Sequence, residues 1–435
     1  MKIKRPISSF KNIYSIFSSI AGNHNGLINK KIIQPPVSDK GIEFIAMTAD
    51  FPNYMRELGK EHNFSYHLSG YGVNREEALI RLIGEATERF SAIYSSGFLD
   101  KNIIFKSINQ LEETLEEHTD INLINVFPDN SNSFIEKILP TDVIGWYKAL
   151  NLLTGKFTYV PAQMFFLDYN DKNHNEKRYT LSFSTGTATH TDFEKAIINA
   201  LVEYLQIDSF ILSWYTDLLK FPKVTLDKKM MEFLSSVNLL SDDFDYLILD
   251  LSMDKPLNIF GVFIISDSYP YITFGVQGGF EPYHTLYRGI MEALTIRQYA
   301  FSAPLYDEKN YLSSQNEDES FLNLDTNVLY WASDIDLEQR LHYIYNKIEG
   351  EKCISEYINN EQNSLEIMVD YLKKHEMTPS IVDITSPEVD VTALCTVRIL
   401  IPELLPMCLP SQPIAEHPRF KEYGGVKYEY PHPMP

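Results

Sequence analysis

Three acid-bearing helical segments, each entered from a turn of small residues, recur along this chain, and such a repeat constrains the fold more than length or composition does. Laid side by side, they align on Glu85, Glu203 and Glu292. Upstream lie Gly70-Tyr71-Gly72, Ser184-Thr185-Gly186-Thr187-Ala188 and Gly278-Gly279; Gly72 and Gly279 each precede their acid by thirteen residues, and the second segment is longer by four. In Ala78 to Tyr94, the residues Leu79, Leu82, Ile83, Ala86, Phe90 and Ile93 share one helical arc and form a core face, while Arg81, Glu85, Glu88 and Arg89 fall on the adjacent arc. The second helix, Glu194 to about Trp214, repeats the layout, with Asn199, Glu203 and Gln206 on the polar arc and Ile197, Ala200, Leu201 and Tyr204 on the apolar one. The third, from about Leu286 to Phe301, places Arg288 and Glu292 on one arc with Thr295. Thr191-Asp192-Phe193-Glu194 reads as a capping box, and Asn74 with Glu77 as a second.

β-type runs at Tyr246 to Leu251, Ile259 to Ile265 and Tyr271 to Phe274 alternate with helical patterns, which predicts an α/β or α+β architecture. The polar stretches Asp129 to Ser133, Asp168 to Lys177 and Asp307 to Asp318 read as surface loops, none of them a long flexible linker. The 435 residues are therefore expected to form one elaborate unit, with residues 1–60 leading into a domain of residues 61–435. A net charge of −21 argues against nucleic acid or an anionic membrane as the main partner, because the mean field repels both. The three cysteines, Cys353, Cys395 and Cys408, have no Cys-x-x-Cys spacing and suggest neither a disulfide framework nor a zinc ribbon. A reducing cytoplasm is the expected setting, with Cys395 and Cys408 buried and inert. No apolar stretch follows Met1-Lys2-Ile3-Lys4-Arg5 as a signal peptide requires, and no run approaches the roughly 18 to 20 apolar residues of a membrane span.

Taken singly, Glu85-Ala86-Thr87-Glu88-Arg89 is an ordinary solvated pattern, and so is the i, i+4 pair Arg288 and Glu292. Repetition in one register beside a core stripe changes that reading. If the three helices converge, their carboxylates make a pocket of hard oxygen ligands and the glycine turns offer backbone N–H groups, a combination suited to magnesium and polyphosphate. Nucleotide binding is the leading reading and a plain divalent-metal site the runner-up. There is no P-loop, dinucleotide fingerprint, kinase motif, His-Glu-x-x-His or Gly-x-Ser-x-Gly, so any ATP site is of an unusual kind. His190 reads as local structure at a helix start.

These residues resemble the YcaO-domain proteins, in particular the stand-alone cyclodehydratase subunits of streptolysin-type maturation systems. The resemblance covers most of the chain: the glycine turn before Glu85-x-x-Glu88-Arg89, Ser184-x-Gly186 leading to Glu203 and Trp214, Arg288-x-x-x-Glu292, and the ending Pro431-His432-Pro433-Met434-Pro435. It implies ATP and Mg2+ as cofactors, with Glu85, Glu88, Glu203 and Glu292 for magnesium, Arg288 for phosphate, and Gly72, Arg81, Ser184, Gly186, Asn199 and Gln206 around the nucleotide. It further implies that the tail, through Pro431, Pro433 and Pro435, reaches the active site of azoline-forming members, which argues against the thioamide-forming ones. The sequence departs from the pattern at Tyr71, where the family has Lys, at Arg81 for Ser, at Gln206-Ile207 for Glu-Arg, and at Lys195 for an acid, with Glu194 adjacent. Arg81 is expected to supply the charge missing at Tyr71. The implied partners are a precursor peptide, a ThiF-like leader-binding protein and a flavin-dependent azoline dehydrogenase, with a homodimer also open. Three functions stand: an active cyclodehydratase of Cys, Ser or Thr residues, a catalytically impaired scaffold of the same complex, and a plain metal- or nucleotide-binding module.

Overall fold

The structure is a computed structural model that describes residues 7–22, 26–29, 38–51, 67–128, 134–167, 169, 174–315, 324–409, 414–427 and 430–435. Helix α1 (Ile7–Ile20) and the hairpin-like pair β1 (Ile45–Asp50) and β2 (His67–Gly72) lead into α2 (Arg75–Leu99). Strands β3 (Ile103–Lys106), β4 (Ile144–Asn151), β5 (Phe157–Pro161) and β6 (Thr187–His190) precede α3 (Phe193–Tyr215). Strands β7 (Phe221–Thr225), β8 (Asp245–Asp250), β9 (Asn258–Ile265) and β10 (Ile272–Gly279) precede α4 (Pro282–Tyr306), and α5 (Leu324–Ala332), β11 (Ile348–Cys353), β12 (Ser380–Asp383) and β13 (Cys395–Leu400) follow.

The expected mixed α/β architecture is thus present. The polar stretch from Asp307 is not all loop, because Glu308–Ser314 is helical, while Asp129 to Ser133 lies outside the described residues.

Five strands form one sheet in the order β10-β9-β8-β7-β11, antiparallel except for β11 beside β7. Six form an antiparallel sheet in the order β3-β4-β12-β13-β6, with β5 paired to β4. The three repeat strands therefore each lie at the edge of a different sheet: β2 beside β1, β6 beside β13, β10 beside β9. Each repeat helix packs on its own strand and also on that of the next unit, α2 on β6, α3 on β10 and α4 on β2. That cyclic set of helix-on-strand contacts joins the three units, which sequence alone left open.

The largest apolar core surrounds α3, through Tyr204, Leu205, Phe210, Ile211 and Trp214. α3 is long and apolar enough to cross a membrane by composition, contrary to the expectation that no segment is, but 72% of its apolar window is buried inside this fold. A second core lies between α4 and the five-stranded sheet, and a third between α1, α2 and β1.

α3 also carries a buried charge. Asp208 is fully buried, with Lys255 Nζ at 2.9 Å, Arg419 Nη2 at 2.9 Å, and the Leu405 N–H donating to it at 3.0 Å. These contacts tie the β8–β9 connection and the C-terminal segment to the middle of α3. Replacing Asp208 with Ala leaves two cations without their shared anion, and global stability by denaturant unfolding is expected to fall by about 3–5 kcal/mol. The two cations hold the Asp208 carboxyl down to about 2 against the burial that opposes them. Its contribution is therefore fully present above the ordinary aspartate range and is lost only as pH falls through about 2.

Candidate functional site

The three units make the same strand-to-helix turn. β2, β6 and β10 end at Gly72, His190 and Gly279, and each helix begins after two more residues. The second turn residue caps the helix: Asn74 accepts the Glu77 N–H at 2.9 Å, Asp192 the Lys195 N–H at 3.0 Å, and Glu281 the His284 N–H. Asp192, not Thr191, is the cap of α3. The anchoring acid follows its cap by eleven residues in all three units, 74 to 85, 192 to 203 and 281 to 292. Eleven residues are about three turns, so each acid returns to the face of its cap. The cap therefore sets the register, and the apparent four-residue insertion disappears: His190 matches Gly72 and Gly279, and Gly186 lies further upstream.

Each anchor accepts a hydrogen bond from a main-chain amide in or leading into its own strand. The Ser69 N–H donates to Glu85 Oε2 at 2.7 Å, the Gly186 N–H to Glu203 Oε2 at 3.0 Å, and the Val276 N–H to Glu292 Oε2 at 2.7 Å. An edge strand turns alternate amides away from its sheet, and a shielded amide needs an acceptor. On β10 the seal is completed by α3, where Gln206 Nε2 donates to the Val276 carbonyl at 2.9 Å and Gln206 Oε1 accepts from the Gly278 N–H at 2.7 Å. Gln206, expected beside the nucleotide, thus has both ends of its amide engaged by a strand. Gly72, expected to offer a bare amide, has a packing role as well: a Cβ there would meet the Glu77 side chain at 2.6 Å. Gly186 adopts φ +88°, and a Cβ would meet the Ile399 carbonyl at 2.3 Å, so only glycine fits.

Glu85, Glu88, Glu203 and Glu292 are all half-buried, and Glu88 on α2 lies in the field of Glu203 on α3. Desolvation raises the pKa of every one of them. Glu88 is pushed up to about 8 by burial, with Glu203 and Glu85 adding repulsion against the opposing Arg89 and Arg398. Glu292 is pushed up to about 7, mainly by burial. Arg81 and Arg288, each one turn before its anchor, share a corner with Tyr71: the phenol feels Glu292, Arg81, Arg288 and Glu85, and burial raises its pKa. The Arg81 guanidinium lies over the Tyr71 ring at 4.7 Å and donates to Glu77 at 2.8 Å. Asn199, the counterpart of these arginines in the second unit, is exposed, as are Glu194 and Lys195; Ser184 is half-buried beside the Gly186 turn. His190 accepts the Asp192 N–H at 2.9 Å, a local turn contact as expected.

Arg398, which the sequence reading passed over, lies fully buried on β13. It donates to the carbonyls of Met164, Phe165, Phe183 and Thr185 and to the Thr187 hydroxyl, so its cation faces the field of Glu203 and Glu88 without pairing directly with either. A lone arginine inside Cys395-Thr396-Val397-Arg398-Ile399-Leu400 was the available signal. Glu77 was read only as a cap partner; it also accepts from the Tyr287 hydroxyl at 2.9 Å and the Val73 N–H at 3.1 Å, which joins α4 to α2 beside Arg81. Cys408 is buried, and burial pushes its thiol up to about 12, whereas Cys395 is only half-buried.

The tail Pro431 to Met434 is buried and only Pro435 is exposed. Lys427 N–H meets the Tyr215 carbonyl at 2.9 Å, Tyr430 accepts from Trp214, and the His432 ring lies 5.7 Å from Phe210. The tail therefore runs antiparallel to α3, toward the end that carries Gln206 and Glu203.

Among solved structures, a heterocyclase in complex with substrate and cofactor is similar over 98% of this chain at 15% identity and a TM-score of 0.72; the chain spans 57% of that protein's length. YcaO from Methanopyrus kandleri, bound with AMPPCP and Mg2+, is similar over 98% of this chain and 96% of its own at 13% identity and a TM-score of 0.60. The E. coli microcin synthetase McbBCD complex contains a chain similar over 86% of this one and 88% of its own, at 13% identity and a TM-score of 0.57. At these identities the likeness is one of fold. No curated protein matches the chain. A family model for YcaO cyclodehydratases, described as ATP- and Mg2+-binding, matches residues 69–405, from the amide that caps Glu85 to the one that caps Asp208. With that match over most of its length, the chain belongs to the YcaO cyclodehydratase family.

Proposed function

We propose that this chain is an ATP-dependent cyclodehydratase that closes azoline rings on Cys, Ser or Thr residues of a precursor peptide. The observation that carries the reading is that Glu88 of the first unit lies in the field of Glu85 and of Glu203 from the second, while Glu292 of the third faces Arg81 and Arg288 around Tyr71. Among the described residues no three acidic, histidine or cysteine side chains form a ready metal cage. The donor set nevertheless fits magnesium that arrives with a nucleotide, since Mg2+ takes one or two protein carboxylates and completes its shell with phosphate oxygens and water. Glu85, Glu88, Glu203 and Glu292 are the carboxylates from which its one or two protein ligands would come. Arg288 and Arg81 would face the phosphates, and Ser184, Gly186, Gly72, Asn199 and Gln206 are assigned to the nucleotide's surroundings from the resemblance.

Bound MgATP supplies the phosphoryl group that turns an amide oxygen into a leaving group. The side-chain sulfur or oxygen of the substrate gives up its proton and bonds to the preceding amide carbon, the amide oxygen departs as phosphate with the transferred phosphoryl group, the nitrogen loses its proton and a C=N bond remains, so the peptide loses the elements of one water per ring. The protein orients the amide, screens the charge that develops on its oxygen with Arg81 and Arg288, and excludes bulk water. The tail bearing Pro431, Pro433 and Pro435 is assigned a part in catalysis, from the resemblance. A leader-binding partner, a precursor and an azoline dehydrogenase complete the proposed assembly.

A second reading, an impaired scaffold subunit, is favoured by Gln206, whose amide is held by β10 where an active member would present a carboxylate. Mass spectrometry of a Cys/Ser/Thr-rich precursor co-expressed with this chain and a leader-binding partner separates the two. Loss of one water mass per ring, absent with Glu203→Ala, is the outcome expected here; an unmodified precursor despite measurable complex formation selects the scaffold.

Removing Arg81 deletes a charge-assisted contact to phosphate, so Arg81→Ala is expected to raise the KM for ATP about tenfold or more, by steady-state phosphate release. Tyr71→Lys in that background is expected to restore part of the loss. An unchanged KM in Arg81→Ala would remove Arg81 from the site.

Because Glu88 must be ionised to bind a cation and its metal-free pKa is raised to about 8, Mg2+ affinity in the presence of a non-hydrolysable ATP analogue is expected to strengthen as pH rises from about 7 to 9. Binding near neutral pH should release a proton, visible as a buffer-dependent calorimetric enthalpy, and Glu88→Gln should abolish that dependence.

A further inference from the structure

The last five residues alternate proline with His432 and Met434, so only two N–H groups remain and no strand can pair with the segment. Its carbonyls are nevertheless buried and need donors. Two of the chain's three tryptophans provide them: Trp214 Nε1 donates to the Tyr430 carbonyl at 3.0 Å, and Trp331 Nε1 donates to the Pro431 carbonyl at 2.8 Å. An indole N–H is a donor only and cannot be taken as an acceptor by a competing group. Both side chains are almost fully buried, and their rings meet edge to face at 5.2 Å. Tyr343 braces the pair, its hydroxyl donating to the Trp214 carbonyl at 2.5 Å and its ring lying 5.3 Å from Tyr430. One residue on, the His432 N–H donates to the Tyr215 hydroxyl at 3.2 Å and its Nε2–H to the Cys408 carbonyl at 2.8 Å. Four successive tail contacts thus come from side chains and loops rather than from a sheet.

We infer that Trp214 and Trp331 form a clamp that fixes the tail's direction along α3 and so positions its exposed end for ring formation. The inference rests on the azoline-forming reading and on the catalytic assignment of the tail. Trp214 and Trp331 are positioning residues: they touch the tail and not the glutamates. They also tie the tail to α5, which begins far along the chain from α3 and shares no motif with it.

The test compares wild type, a form lacking residues 431–435, Trp331→Phe, the two changes combined, and Trp146→Phe as a control, since Trp146 donates to the Lys106 carbonyl away from the tail. Ring formation on a Cys-rich precursor presented with its leader-binding partner is followed by mass loss, MgATP binding by calorimetry with a non-hydrolysable analogue, and tail release by trypsin cleavage after Lys427. Trp331→Phe is expected to slow ring formation at least tenfold, leave analogue affinity within twofold of wild type, and speed trypsin cleavage after Lys427, an exposed side chain on a backbone held by the Tyr215 carbonyl, with no further loss when combined with truncation. His432→Phe, which alters only the tail, should give the same pattern even where Trp331→Phe folds poorly. A truncated form as active as wild type overturns the catalytic assignment of the tail and with it the positioning role. An inactive truncation alongside a fully active, trypsin-resistant Trp331→Phe overturns the clamp alone and leaves the catalytic assignment standing. Failure of wild type to bind the analogue counts against the ATP reading itself.

Discussion

The site depends on one interaction made three times: a helical glutamate accepting the N–H of an open-edge main-chain amide in its own strand–helix unit. Such an amide, shielded from water, would be costly without an acceptor, and a neutral acceptor would be the ordinary choice. A carboxylate makes the bond stronger because it is charge-assisted, and it leaves a second oxygen for another task. The same choice sets an ionisable group in a partly buried position in each unit, where desolvation raises the pKa of Glu85, Glu203 and Glu292, as it does that of Glu88 beside Glu85. Packing the edges and setting partly buried carboxylates between the units are therefore parts of one arrangement.

α3 links that arrangement to the rest of the protein. Along one helix it carries Glu203 at the convergence, Gln206 on the edge of β10, Asp208 in the buried charge cluster, and Phe210, Trp214 and Tyr215 against the tail. At its far end Lys347 donates to the Ser213 and Thr216 carbonyls, placing a cation where the helix presents unpaired oxygens. Displacing α3 would disturb the glutamates, the second sheet and the tail together, so the polar network makes these parts interdependent.

The repeat was legible because its period survives in the residues: Glu85, Glu203 and Glu292 recur beside apolar arcs, and the tail motif is distinctive. Its register was partly misread because glycines were used as markers. Gly72 and Gly279 are dictated by close packing against Glu77 and Thr285, whereas Gly186 is dictated by a positive φ, so they do not mark equivalent positions. The caps Asn74, Asp192 and Glu281 do, but they differ in type and become comparable only through a shared turn. Gln206 looked like a weakened ligand in one dimension, since nothing local reveals that the strand it meets lies seventy residues away.

The sequence by itself determined the helical periodicity, the three acids one turn after Arg81, Asn199 and Arg288, the mixed architecture and the proline-restricted tail, because these follow from local spacing and backbone chemistry. Only the tertiary structure decided that Glu203 lies near Glu88, that Arg398 faces both from β13, and that Trp214 and Trp331 hold the tail. Those outcomes depend on which sheet edges are left open and on which helix lies across them, and such contacts between distant segments leave no period in the chain.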